Sequence, residues 1–132
     1  MRIKKRKNKF KNKTLLKEDL VPKDISLTDE DRITYLYKRG SDGEIIEVTN
    51  VSHDTKIGEE WITIVRYDSS HGELHRHIRV SLQDEKDTPT TIGVKKKGSH
   101  DNWLTWAIND IKQRFEDYKR GFLKRSKVID KN

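Results

Sequence analysis

The chain has 132 residues, of which 39% are charged and 31% are hydrophobic, and it contains no cysteine. This length accommodates one domain and an appendage, and the lack of cysteine excludes disulfide bonds and thiolate metal sites. No apolar run approaches the ~18 residues that span a bilayer, and no apolar segment follows the basic N-terminus as in a secretory signal. The composition therefore predicts a soluble protein in a reducing, cytoplasmic setting.

The excess positive charge is concentrated at the N-terminus. Residues 1–13 contain eight of the 29 basic residues and none of the 22 acidic ones, so the remainder is close to neutral. These bases are Arg2, Lys4, Lys5, Arg6, Lys7, Lys9, Lys11 and Lys13. Such a run repels itself and buries nothing, so residues 1–29 are predicted to be a disordered basic tail and linker. The tail is either a solvated arm or a nonspecific RNA anchor that acts through phosphate contacts.

Short β-branched and aromatic runs predict an antiparallel sheet in the middle of the chain. The predicted strands are 33–37, 44–51, 61–67 and 73–82, with a short fifth strand possible at 91–94. Glycine-containing turns join the strands of each hairpin, because glycine adopts positive φ without a steric penalty. The stretch 14–30 is interpreted as a linker or docking segment, and 83–90, which contains Pro89, as a loop.

One long amphipathic helix is predicted to follow. Its apolar residues recur at spacings of three and four, which places them on one face. They are Leu104, Ala107 or Ile108, Ile111, Phe115, Tyr118 and Phe122. Asp110 with Arg114, and Glu116 with Arg120, have the spacing of ion pairs and are expected on the solvent side. Together these elements predict an α+β domain over 30–125, in which four to five antiparallel strands pack on one C-terminal helix. Residues 126–132 are predicted to be disordered.

The hairpin from Tyr67 to His77 holds the densest group of functional side chains. His75 and His77 are two residues apart on a predicted strand, so they project from the same face, and Arg79 follows. His71 lies in the turn and can fold back toward them. Histidine exchanges protons near neutral pH. The sequence therefore predicts acid–base catalysis by His71, His75, His77 and Tyr67, without a cofactor.

Phosphate contacts are expected from nearby cations. Arg76 and Arg79 can hold a phosphate through a planar fork of donors, and Lys95, Lys96 and Lys97 precede a helix start, which favours anions. Two alternatives remain open for the histidines. They can be ordinary exposed residues on a polar sheet face, or His75 and His77 can bind zinc together with His71 or Asp68. Trp103 and Trp106 can stack on bases or belong to the core.

The segment 61–119 resembles the TumE family of small toxins from prokaryotic toxin–antitoxin pairs. The resemblance rests on Tyr67-Asp68, His71-Gly72 and His75-Arg76-His77, followed by an amphipathic helix from Trp103. It implies a ribonuclease-type toxin that is paired with a small helix-turn-helix antitoxin. The leading hypothesis is thus a toxin-like endoribonuclease that acts on RNA. The alternatives are a non-catalytic nucleic-acid or ribosome-binding module and a metal-binding protein.

Overall fold

The computed structural model describes residues 21–69, 72–92 and 100–127. In this part of the chain, six strands precede one helix. The strands are β1 (Lys23–Thr28), β2 (Asp31–Arg39), β3 (Ile45–Ile57), β4 (Glu60–Asp68), β5 (His75–Arg79) and β6 (Asp87–Thr91), and the helix is α1 (His100–Ser126). The strands form one antiparallel sheet in the order β1-β2-β3-β4-β5-β6, so each strand pairs with its neighbours in the sequence.

The α+β class with an antiparallel sheet and a C-terminal helix is confirmed, but the predicted strand number of four to five is too low. The two edge strands account for the difference. β1 lies within the stretch that was interpreted as a linker, and β6 lies largely within the predicted loop 83–90. An edge strand buries little side-chain surface, and β6 is exposed throughout and contains Pro89. β6 lacks the apolar alternation on which strand prediction depends, and proline is tolerated at an edge. β1 does alternate, but only Ile25 and Leu27 carry the pattern, which is too short a signal to separate a strand from a linker.

The hydrophobic core lies between α1 and one face of the sheet. The predicted apolar stripe of the helix faces inward, with Ala107, Ile111 and Phe122 fully buried. They pack with strand residues such as Val51 and Val65. At ~25 cal/mol per Å² of apolar area removed from water, each large side chain buried here stabilises the fold by about 2 kcal/mol. In the described part of the chain, no helix is long and apolar enough to cross a membrane.

Asp110 departs from the predicted solvent-facing position. Its side chain is only 7% exposed, and its Oδ2 accepts hydrogen bonds from the buried hydroxyl of Tyr67 and, at 2.5 Å, from Tyr118. The predicted ion pair with Arg114 forms at 3.2 Å on the other carboxylate oxygen. The Asp110 carboxylate therefore fastens α1 to β4. The sequence spacing correctly indicates the Arg114 contact but not this attachment, because helical spacing says nothing about a partner on another element.

A second polar attachment lies where β2 and β3 meet the helix. His53 is fully buried, and its Nε2 lies 3.0 Å from Oδ1 of Asp31. Lys119 of α1 reaches Oδ2 of the same carboxylate at 3.2 Å. Burial by itself would raise the pKa of Asp31, but the hydrogen bonds from His53, Thr28 and Thr55 and the Lys119 charge lower it to about 2. The carboxylate is therefore ionised and links the sheet to the helix.

The last turn of α1 holds the chain that leaves β5. Ser126 is only 2% exposed, and its hydroxyl accepts a 2.7 Å hydrogen bond from the backbone N–H of Leu82. Arg125 donates from Nε to the carbonyl oxygen of Val80 at 2.6 Å. The sequence analysis predicts that Ser126 belongs to a disordered C-terminus, whereas the structure makes it the last residue of the packed helix. The sequence does not show this, because the backbone N–H that Ser126 accepts from belongs to Leu82, which is distant in the chain.

Candidate active site

The sheet face opposite α1 carries a group of histidine, arginine and aspartate side chains on β4 and β5. In the antiparallel register, Arg66 stands opposite His77, and Asp68 stands opposite His75. Residues directly opposite each other share a face, and successive residues along a strand alternate between faces. Tyr67 lies between Arg66 and Asp68 in β4 and faces the helix. Arg66 and Asp68 therefore face away from the helix. The alternation of the strand thus brings these four side chains together, and we call them the open-face cluster.

His77 is held between two carboxylates. Its Nε2 lies 3.3 Å from Oδ2 of Asp68, and its Nδ1 lies 3.2 Å from Oδ1 of Asp87. A carboxylate only accepts hydrogen bonds, so Nδ1 donates to Asp87, while the contact of Nε2 with Asp68 is a close polar contact. These contacts fix the position and the plane of the ring. The side chain is 18% exposed, which leaves it accessible from the open face.

Arg66 joins the same two carboxylates. Its Nη1 donates to Oδ2 of Asp68 at 2.7 Å, and its Nη2 lies 3.7 Å from Oδ2 of Asp87. The arginine therefore contacts both of the carboxylates that contact His77. The Arg66 side chain is 39% exposed and lines an open depression of about 230 Å³. The depression is lined by Asn50, Thr63, Arg66, His77, Arg79 and Asp87, among others.

His75 is the second imidazole of the open-face cluster. Its ring centroid lies 6.3 Å from that of His77, and its side chain is 20% exposed. Its closest charged partner is Glu73, at 3.9 Å from Nε2. His75 is thus held less firmly than His77. The separation of the two rings leaves room for both to contact groups attached to one phosphate.

Arg79 lies at the end of β5 and also lines the depression. Its Nε donates to the carbonyl oxygen of Ser81 at 2.9 Å, and its Nη2 donates to that of Leu82 at 2.8 Å. These bonds fix the direction of the guanidinium. The expectation that Arg79 lies beside the histidines agrees with this position.

Tyr67 and Arg76, which were predicted to join the histidines, lie on the other face of the sheet. Tyr67 is fully buried, and burial together with the hydrogen bond to Asp110 raises its pKa far above the usual value. Arg76 stands opposite Tyr67 in the register and donates from Nη1 to the hydroxyl of Tyr118 at 3.4 Å. The prediction is corrected for both residues, because strand alternation turns them toward the helix. A buried, protonated phenol is a structural hydrogen-bond donor and has no access to an RNA substrate.

Several predicted site residues lie outside the described part of the chain. They are His71, Lys95, Lys96 and Lys97, and the tail residues Arg2, Lys4, Lys5, Arg6 and Lys7. Within the described residues, no group of three or more histidine and acidic side chains is arranged to hold a metal ion. Trp103 is buried in the core, and Trp106 packs edge-on to Tyr67 with ring centroids 5.8 Å apart. Trp103 therefore belongs to the core, and Trp106 is partly buried against it.

Arg66 and Asp87 are functional candidates that the sequence interpretation missed. Arg66 stands between the apolar residues Val65 and Tyr67 in a strand. This alternation of apolar and charged residues was a usable signal that Arg66 faces away from the core. Asp87 offered no such signal, because it begins an exposed edge strand in a polar stretch. Only the pairing of β5 with β6 brings it to His77.

Comparison with known proteins gives a family. Residues 17–128 match the model of a domain of unknown function, DUF7718. The chain belongs to this family. The match begins before β1 and ends after α1, so it includes the whole described fold and the open-face cluster. No curated protein and no solved structure matches the chain.

Proposed function

We propose that this DUF7718 protein is a metal-independent endoribonuclease whose active site is the open-face cluster. The observation that carries the proposal is His77, clamped between Asp68 and Asp87 and only 6.3 Å from the ring of His75. Two imidazoles at this separation can serve the two proton transfers of RNA cleavage. The resemblance of residues 61–119 to TumE-type toxins supports the same reaction.

The positions of the side chains support the following reaction. His75, whose ring is less constrained, takes the proton of a ribose 2′-hydroxyl, and the 2′-oxygen attacks the adjacent phosphorus. His77 donates the proton on Nε2 to the departing 5′-oxygen, while the Nδ1 hydrogen bond to Asp87 orients its ring and Asp68 lies beside it. The products are a 2′,3′-cyclic phosphate and a free 5′-hydroxyl. Arg66 and Arg79 lie close enough to the depression to stabilise the extra negative charge of the transition state.

The deciding experiment is incubation of the purified full-length protein with total RNA, with and without a chelator. The proposal expects cleavage in both conditions. The variants His75→Ala and His77→Ala should each slow cleavage roughly 100-fold or more while RNA affinity is retained. His100→Ala is the matched control, since it removes a histidine outside the cluster. Intact RNA with the wild-type protein would refute the nuclease, and cleavage that the chelator abolishes would replace it with a metal-dependent one.

A toxin of this kind would have partners that a cellular experiment can reveal. We propose RNA as the substrate and a small helix-turn-helix protein, encoded nearby, as the antitoxin. Induced expression should then arrest growth, and His77→Ala should relieve the arrest at equal protein level. Growth unaffected by the active protein would count against the toxin role while leaving the nuclease activity to be judged in vitro.

The second candidate is a non-catalytic RNA- or ribosome-binding module. The distribution of charge favours it, because eight of the 29 basic residues lie in residues 1–13 and the remainder is close to neutral. Such a module should lose RNA affinity when residues 1–13 are deleted and should never cleave. Its affinity should also fall steeply with salt, since phosphate contacts release counterions.

A further inference from the structure

Trp61 is an exposed aromatic side chain at the start of β4. Three large hydrophobic side chains are exposed in the described residues, and they are Val21, Ile46 and Trp61. Of these only Trp61 is aromatic, and it is 36% exposed. A flat indole that water reaches is suited to stack on another flat ring.

Two basic side chains, Arg32 and Lys56, lie over the Trp61 ring. The guanidinium carbon of Arg32 lies 4.2 Å from the ring centroid, and the ammonium nitrogen of Lys56 lies 5.8 Å from it. The stacked arginine restrains the indole, which lowers the entropy that a ligand would otherwise lose in ordering it. An aromatic ring with the Lys56 ammonium beside it also matches the chemistry of a nucleotide, which joins a planar base to a phosphate.

Asp54 holds Arg32 in this position. Its Oδ2 is 3.0 Å from Nε of Arg32 and also accepts a hydrogen bond from Thr34 at 2.9 Å. Its other oxygen accepts hydrogen bonds from Ser52 at 3.0 Å and Thr63 at 2.7 Å. The carboxylate is therefore held by four side chains from three strands. This network fixes the guanidinium over the Trp61 ring before any ligand arrives.

The tryptophan and the open-face cluster share one face of the sheet. Thr63 connects them, because it bonds to Asp54 and also lines the depression beside His77. Trp61 and Arg66 are five residues apart along β4, and both lie on the open face because a β-bulge at Ile64 interrupts the alternation. Their separation is roughly 15 Å at the usual strand rise. An extended single strand of a few nucleotides covers this distance.

We infer that Trp61, with Arg32 and Lys56, is a base-stacking subsite for single-stranded RNA. This inference rests on the proposed function, which places the scissile phosphate at His75 and His77. A base some nucleotides away from that phosphate stacks on the indole, and Lys56 contacts the neighbouring phosphate. Double-stranded RNA does not fit this subsite, because its bases are already stacked within the helix.

The test is a fluorescence titration that does not depend on catalysis. The ligand is a 2′-O-methylated single-stranded RNA of about 10 nucleotides, which lacks the nucleophile and is within the usual site size. Trp103 and Trp106 are packed in the domain, so an accessible base should quench Trp61 in particular. The full chain and its Trp61→Phe, Trp61→Ala and Ile46→Ala variants are compared. Duplex RNA is titrated separately as the comparison ligand.

The inference expects quenching in the wild type that Trp61→Phe removes. Trp61→Ala should raise the Kd roughly 5- to 100-fold, and Trp61→Phe much less, because phenylalanine still stacks. Ile46→Ala, which removes an exposed apolar side chain without an aromatic ring, should leave the Kd unchanged. Equal affinity of Trp61→Ala and the wild type, or equal quenching by duplex RNA, would overturn the subsite. If RNA is still cleaved, such a result removes the subsite but not the nuclease. If RNA is not cleaved but Trp61→Ala weakens binding, the nuclease is removed but not the subsite.

Discussion

Asp87 follows His77 by ten residues, yet its Oδ1 lies 3.2 Å from Nδ1 of the imidazole. The contact exists because β5 and β6 form an antiparallel pair in which His77 stands opposite Pro89. The aspartate arrives from the next strand on the same face. A strand that buries none of its side chains thus supplies one of the two carboxylates that orient the candidate acid.

The variant Asp87→Asn tests this orienting role. If the carboxylate holds the His77 ring, the amide should slow RNA cleavage about 10- to 100-fold, equivalent to the loss of one charge-assisted hydrogen bond. The rate constant should fall more than the RNA affinity. Asp117→Asn, which removes an exposed carboxylate from α1, is the control. Single-turnover cleavage rates at saturating protein give the measurement, and equal rates for the two variants would contradict the role.

The variant Tyr67→Phe tests the attachment of α1 to β4. The missing hydroxyl leaves Asp110 with one buried donor fewer, so the free energy of unfolding should decrease by about 1–2 kcal/mol. Urea unfolding measures the change, with the slope expected to stay constant. RNA cleavage should persist under conditions where the variant is folded, since this hydroxyl faces away from the histidines. Cleavage lost in a stably folded variant would instead return Tyr67 to the active site.

Acid should weaken the fold through Asp31. Its pKa is about 2 in the folded chain, compared with 3.8 for an aspartate without these partners, as in the unfolded chain. The folded state therefore binds the proton less readily than the unfolded state. The stabilisation is fully present above pH ~4 and is lost as pH falls toward 2, with a total of about 2 kcal/mol. Asp31→Asn should flatten this part of the stability–pH curve. Asp29→Asn, at an exposed position in the turn before β2, should leave the curve unchanged, and a curve equally steep in both variants would refute the assignment.

The variant Ser126→Ala tests the contact between the end of α1 and the chain after β5. Without the hydroxyl, the backbone N–H of Leu82 loses its acceptor in a partly buried setting. We expect a loss of about 1–3 kcal/mol in the free energy of unfolding. Amide hydrogen exchange should also become faster at Leu82 than at strand β3. Unchanged exchange at Leu82 would show that the contact contributes little.

The sequence predicted some features well because they depend on local periodicity. The spacing of three and four in α1 indicates the buried residues Ala107, Ile111 and Phe122, since a helix repeats its faces in that period whatever it packs on. The alternation in β5 likewise predicts that His75 and His77 share a face. The basic arm 1–13 stays a prediction, because it lies outside the described residues.

The tertiary structure decided the features that depend on residues distant in the chain. Asp87 joins His77 through strand pairing, and Asp110 turns inward because a buried Tyr67 hydroxyl needs an acceptor. Neither contact has a periodic signature in the sequence. The sequence thus determined which apolar residues α1 turns to the core and that His75 and His77 share a face, because both follow from backbone geometry. Which polar side chains meet across those elements was set only by the packing that satisfies their hydrogen bonds.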